Sequence, residues 1–432
     1  MKKYEDEIDM MKLLHAITPL ERTLASDDTD KALKIVKDYL PTGIIEGYET
    51  GKAIWSWFVP PRFEVQSATI KVNGQILVDV KDHPLHLVNY SRPFKGRVSH
   101  DELMKHLHSD PQSPHAIPFV FRFYQDTWGF CIPENWRSKF TSDFYDIEVN
   151  TTLDPGKMNV FYDFLPGDNK ETFVISSNIC HPTQVNDSLT GVAVGADIMA
   201  RLRKMKKRKY SYLFMVVPEQ VGSVGFFAHH ENLIPQCVGG FFSEMLGTPG
   251  PIVAQRTRNN SYLDFLIEEN LKRSNVAYKV VPFLKSAAND EKVLDSPGVN
   301  VPTFSFTRSP YIQYHTSDDN MDLIQLEKLQ ESRDVLQEII FDLENDFVPK
   351  LKYPGPVFLS GHGLYPDYRE DPTLLPMWLS FIDIMYALDN KLSVIEVAKK
   401  INCDPSHVFY WCNKFIEKSL MTKEDHKLKK ES

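Results

Sequence analysis

The chain has 432 residues, more than one ordinary domain holds, and 42% hydrophobic against 25% charged residues is a globular balance that excludes disordered and fibrous classes. Its 49 lysines and arginines face 58 aspartates and glutamates, a formal net charge of −9, so the whole is not built to coat nucleic acid or an anionic membrane. Five dispersed cysteines (131, 180, 237, 403 and 412) form no CxxC pair, which argues against a disulfide framework and a thiolate zinc site. The acidic start MKKYEDEIDMMKLL lacks a signal-peptide core, and no apolar run reaches the roughly 18 residues of a membrane span. The expectation is a soluble, reduced, cytoplasmic protein.

Residues 4–41 carry two helical patterns, Ile8, Met11, Leu14, Ile17 and then Ala32, Leu33, Ile35, Val36, Leu40, stopping at Pro41. From Trp55 to about Thr151 short β-type runs (68–72, 76–80 and 85–88) alternate with turn signals, of which Asn73-Gly74 is the strongest hairpin cue. Prolines at 60, 61, 84, 93, 111, 114, 118 and 133 keep its elements short. This span reads as a β-rich lobe inserted into the main domain or packed beside it.

From about residue 152 strands and helices alternate. Strands are expected at 172–179, 212–217, 239–246 and 303–306, with helices at 189–209, 260–274 and 322–346. The first helix ends in seven bases between Arg201 and Lys209, best read as a solvated end complementing the helix dipole. Such alternation predicts an α/β fold with a mostly parallel, doubly wound sheet. After residue 357 the chain restarts as helix, tight turn, helix (392–401 and 406–420). The second of these is rich in aromatics (Phe409, Tyr410, Trp411, Phe415), which favours a winged-helix-like packing module over a DNA reader. The expected domains are 1–54 with 152–348, the inserted 55–151, and 349–432.

In an open α/β sheet function gathers beyond the carboxyl ends of the strands. Those ends lead into Cys180-His181 and Asn186-Asp187, into Glu219-Gln220, into Glu244, and into Tyr314-His315. Taken singly, each has a bland role: Asp187 and Ser188 can cap a helix, Glu219 can sit in a turn. Four strand ends bearing potential ligands on one sheet edge point to a hydrolytic metal site of mixed nitrogen and oxygen donors, and zinc suits that set.

These segments carry a resemblance. Asn186-Asp187-Ser188-Leu189-Thr190-Gly191 looks like the bridging-aspartate motif of the zinc aminopeptidases that include bacterial leucyl aminopeptidases and glutaminyl cyclases. Glu219-Gln220-Val221-Gly222-Ser223-Val224-Gly225 resembles their Glu-Glu-x-Gly-Leu-x-Gly, Glu244-Met245-Leu246-Gly247 their Asp-Met-x-Gly, and Tyr314-His315-Thr316 their Tyr-His-Thr. With Cys180-His181-Pro182, Asn289-Asp290-Glu291, Ser296-Pro297-Gly298 and Gly363-Leu364-Tyr365-Pro366, nearly the whole chain is similar to bacterial aminopeptidase-like proteins associated with polysaccharide biosynthesis. The resemblance implies a zinc-exopeptidase core, an inserted β-rich domain and a C-terminal winged helix.

It also implies roles. His181, Asp187 and Glu244 would hold one zinc, Asp187 and His315 would face a second, and Glu219 would be the general base. Two departures leave one zinc or two open: Gln220 stands where the wider family has a second, metal-binding glutamate, and Thr183 where it has an aspartate. For substrate, Asp290, Glu291 and Asp318 are candidates to meet a free amine; Arg256, Arg258 and Arg308 are candidates to meet an anion, and Tyr314 lies beside the site. The leading expectation is a zinc-dependent hydrolase of an amino-acyl or peptide-like amide. A winged-helix regulator and a metal-poor binding protein on the same fold stay as alternatives. No membrane and no nucleic-acid partner is expected, and self-association is left open.

Overall fold

Strands Thr172–Asn178, Ser211–Val217, Cys237–Ser243 and Thr303–Arg308 are buried at every position. Burial on both faces is what parallel strands between helical layers require, and it explains their near-continuous apolar texture. The computed structural model describes residues 3–286, 288–426 and 428. The chain divides into one unit running through Gln337 and a second beginning at Glu338.

In the first unit these strands form the middle of an eight-stranded sheet. Its order is Ile44–Glu49, Lys157–Leu165, Ser211–Val217, Thr172–Asn178, Cys237–Ser243, Thr303–Arg308, Ile252–Gln255, Tyr278–Val281. The four central strands are mutually parallel, while antiparallel pairs flank them on both sides. The fold is therefore mixed α/β, with the expected parallel arrangement at its centre and again in the edge pair Ile252–Gln255 with Tyr278–Val281. Strand Thr172–Asn178 lies between the two strands that follow it in sequence, so the winding reverses there and a crevice opens beyond its carboxyl end.

Helix Leu189–Lys204 packs against this reversal through small residues. At Gly191 a Cβ would run into the Ser243 carbonyl, so the helix crosses the sheet at a distance only glycine allows. The helix ends at Lys204 rather than Lys209. The reason is Arg208, whose guanidinium folds back onto the carbonyls of Leu202 and Met205 and satisfies the helix end.

The inserted lobe is an antiparallel four-stranded sheet in the order Gln75–Asp79, Arg62–Val72, Phe144–Asp154, Phe94–Ser99. Asn73 and Gly74 both have positive φ, 48° and 82°, as the hairpin signal demands. The run 85–88 is not a strand: Pro84–His86 is a 3-10 turn whose start is capped by His83 Nδ1 accepting from Leu85 N. Pro84 has no N–H to offer a ladder. The lobe returns to the main body where Phe119 N–H donates to His315 O at 2.7 Å and Pro118 bridges to Thr316.

The second unit holds helices Val394–Lys400 and Pro405–Glu417 and a two-stranded antiparallel sheet, Phe347–Leu351 with Met421–Asp425. Val408, Trp411, Cys412 and Phe415 are buried in its core, so the inward face of the second helix is a packing face. Among the described residues, no helix is long and apolar enough to cross a membrane.

Candidate active site

The end of strand Thr172–Asn178 delivers Cys180 and His181 into the crevice, and the chain turns sharply before the next helix. Thr183 takes a left-handed φ of 61°, and the Asp187–Ser188 peptide is cis. Two buried groups hold this loop. The Arg22 guanidinium donates to Ile179 O at 3.2 Å and to Gln184 O at 2.8 Å, gripping both ends of the segment that carries His181. The Asp319 carboxylate accepts the N–H groups of Val185, Asn186 and Asp187 at 3.2, 2.8 and 2.9 Å. Burial, and then the Asp187 charge, push Asp319 up to about 7. Asn186 ties the loop to the neighbouring strand end, its Oδ1 accepting from Gly247 N and its carbonyl from Met245 N, on the chain segment that carries Glu244.

Asp187 is the centre of the constellation. Its Oδ1 lies 3.8 Å from His181 Nδ1 and its Oδ2 lies 3.1 Å from His315 Nε2, with one ligand atom of each residue inside a 4.8 Å circle of the others. His181 Nδ1 is buried without a hydrogen-bond partner. Such atoms are costly unless a ligand satisfies them. On the other side of the imidazole, Glu219 Oε2 is 3.4 Å from His181 Nε2. Glu244 is 2% exposed; burial, then Asp187 and Glu219, raise its carboxyl well above the usual range. Three crowded carboxylates with two imidazoles are short of positive charge, and the donor set fits a zinc-type cation. Cys180 is the one thiol at hand, but its Sγ accepts from Glu219 N at 3.1 Å and burial first, then Glu219, raises its pKa well above the ordinary thiol value.

The base candidate is fixed by its turn. Gln220 has φ 58° and precedes helix Val221–His229. Asp290 accepts from Gln220 N at 3.0 Å and from the Ser223 hydroxyl, closing the helix start. The Gln220 carboxamide nitrogen is 3.3 Å from both Glu219 Oε1 and Ala288 O, so it orients the neighbouring carboxylate. Beside Glu219 and Glu244 a cleft of about 440 Å³ opens, walled by Asn289, Thr307, Tyr311 and Tyr314 with Met245 and Pro310 as apolar members. Tyr314 stacks on His315 at 3.9 Å between ring centroids. Phe119 of the inserted lobe sets its edge against His181 and His315 at 5.5 and 5.3 Å.

His181, Asp187 and His315 lie together and Glu219 adjoins His181, while Glu219, Glu244 and Tyr314 line the cleft beside them; Glu244 is not in the His181–Asp187 ligand group expected of it. The other candidates are held elsewhere in the fold or, for Asp318, lie exposed. Asp290 is fully buried and spent on the Gln220 turn; burial pushes it up to about 8. Glu291 is equally buried, accepting from Gln255 Nε2 at 2.9 Å and Asn289 N at 3.0 Å. The expected amine-binding role therefore does not hold for either, because both brace the backbone behind the site. Asp318 is exposed, and its neighbour Asp319 does the holding. Arg308 is buried against Ser332, Gly250 O and Glu331; Arg256 pairs with Glu268, and Arg258 with Asn300 and Asp295. Their charges are committed within the fold, which removes them as anion receptors. Arg22, Asp319, Asn289 and Phe119 were not singled out as site residues. Asn289 and Asp319 sit inside or beside quoted motifs, whereas Arg22 and Phe119 carry no local signal.

A family model described as a domain of unknown function, DUF4910, matches residues 11–346. A Clostridium acetobutylicum protein named "Putative polysaccharide biosynthesis protein with aminopeptidase-like domain" is 27% identical over 415 residues, 93% of each chain. A crystal structure of a "putative peptidase" from the same organism superimposes with a TM-score of 0.86 at 25% identity, covering 96% of both chains. A zinc aminopeptidase from Bacillus subtilis, BSAP, shares the fold at a TM-score of 0.60 and 11% identity, over 79% of this chain and 96% of its own.

Proposed function

The chain belongs to the DUF4910 family and has an aminopeptidase-like fold, and we propose that it is a zinc-dependent hydrolase of amino-acyl or peptide-like amides. The observation that carries this reading is Asp187, buried between two histidines with Glu219 at the far nitrogen of one of them. His181, Asp187 and His315 would hold the ion, with Glu244 alongside. When bound there, zinc supplies Lewis acidity, polarising a carbonyl and lowering the pKa of water towards about 7.

The chain's own groups do the rest. Glu219 is 29% exposed at its side chain, open to the cleft, and oriented by the Gln220 amide. It takes the proton of the attacking water and returns it to the leaving amine, a shuttle worth roughly 100- to 10,000-fold. Glu244, at the cleft wall, offers a hydrogen-bond acceptor to a free substrate amine, and Asn289 keeps its carboxyl group in place through Nδ2 at 3.0 Å. Tyr314 braces the His315 ring, and Phe119 shields both imidazoles from water on the lobe side. The name of the Clostridium acetobutylicum relative makes an amino-acylated sugar one substrate to try first.

The test is elemental analysis of untagged protein together with release of aminocoumarin from amino-acyl coumarin amides. Between one and two zinc equivalents and chelator-sensitive turnover are expected. Metal-free wild type that cannot be loaded contradicts the proposal.

A further inference from the structure

The cleft beside Glu219 and Glu244 contains polar groups that the fold leaves unserved. Asn289 is 9% exposed; its Nδ2 is spent on Glu244, while its Oδ1 is buried with no donor. The Tyr311 hydroxyl is likewise buried with no partner. Thr307 is fully buried on the same wall, its hydroxyl 3.5 Å from that of Ser286. Each orphan costs free energy until something in the cleft completes its hydrogen bonds. Two carboxylates line this space, and its described lining holds no lysine, arginine or histidine to balance an incoming anion.

From this lining we infer that the cleft selects amino-acyl groups whose side chains are uncharged and carry a hydroxyl or an amide, an assignment that rests on the hydrolase reading for its place in a reaction. A side-chain hydroxyl or amide donates to Asn289 Oδ1 and pairs with the Tyr311 hydroxyl. An aliphatic side chain of the same shape fills the volume and leaves both orphans dry. An acidic side chain places a third carboxyl group beside Glu219 and Glu244, with no cationic side chain in the described lining to receive it. Sites built to hydrogen-bond a substrate group discriminate strongly against the isostere that lacks it.

Isosteric pairs isolate the effect. On the full-length chain with zinc supplied, calorimetry compares L-threonine amide with L-valine amide, and L-glutamine amide with the α-amide of L-glutamic acid. The threonine and glutamine amides should each bind about tenfold tighter or more than their partners. Tyr311→Phe should reduce the threonine-to-valine ratio several-fold, and Thr307→Val is the second variant should the first misfold. Equal or inverted affinities within either pair, no binding at millimolar concentration, or a ratio untouched by both substitutions overturns the inference. Coumarin amides of the same residues separate the two readings. Retained binding preference without any turnover contradicts the hydrolase and leaves the selectivity standing, whereas brisk turnover with valine preferred does the reverse.

Discussion

Arg22 braces the loop at 179–184 with its side chain fully buried, and Arg22→Met is the substitution that best probes how the loop is held. Methionine keeps most of the length and apolar bulk but removes the donors to Ile179 O and Gln184 O. Hydrogen bonds from a charged donor are worth about 1.5–3 kcal/mol each, so about 3–6 kcal/mol is lost. Part returns, because burial lowers the Arg22 pKa from 12.5 to about 10, a penalty of roughly 3 kcal/mol at 1.36 kcal/mol per unit. The net cost is then about 0–3 kcal/mol, concentrated on the segment that positions His181. Zinc affinity, read by competition with a chromogenic chelator, should fall about tenfold or more, as for other groups that orient metal ligands. Urea unfolding of the metal-free chain reports the stability term separately. A variant that unfolds at the wild-type midpoint and holds zinc as tightly as wild type refutes the view that Arg22 shapes the site.

Gly191→Ala forces a methyl group into the Ser243 carbonyl, one residue before Glu244, and should destabilise the first unit by at least about 3 kcal/mol in thermal unfolding. Gln220→Glu removes two hydrogen bonds and sets a carboxylate against Glu219; the metal-free variant should lose about 1–3 kcal/mol, and a second zinc equivalent should bind more tightly and restore it. Equal gains from zinc in variant and wild type contradict that account. His83 accepts the Leu85 N–H through Nδ1, and burial, then His86, depress its pKa to about 4. The unfolded chain therefore binds the proton more readily between about 6.5 and 4, so stability present above that window is lost as pH falls through it. His83→Asn keeps a capping acceptor and should flatten part of that slope in urea titrations across the window.

The strand ends were legible because a strand buried on both faces must be apolar along its length, which makes its first polar residues conspicuous. Glu219 is of this kind and Glu244 follows a single serine, whereas His181 and His315 stand further out, beyond Ser176–Asn178 and beyond Thr307–Gln313. What could not be read locally depends on packing between distant segments. Asp290 and Glu291 look like free acids in sequence, and only the docking of their turn behind Gln220 and against Gln255 shows them buried and engaged. Phe119 reaches His181 and His315 because residues 117–119 pair with the loop at 315–317, almost two hundred positions away. The run 85–88 has strand-like composition, but Pro84 and the His83 cap turn it into a 3-10 turn. The bases from Arg201 to Lys209 read as a helix end complementing its dipole, and Arg208 does donate to the carbonyls of Leu202 and Met205, but from beyond a helix that stops at Lys204.

The central claim is that Glu219 moves a proton beside a metal it does not need to hold. Glu219→Gln preserves volume and can still accept from Gln220, yet it cannot take a proton. Zinc content and turnover of a coumarin amide, measured on the same preparation, decide the matter. The account predicts unchanged zinc and a fall in kcat of about 100-fold or more. Turnover that survives the substitution with zinc still bound contradicts it.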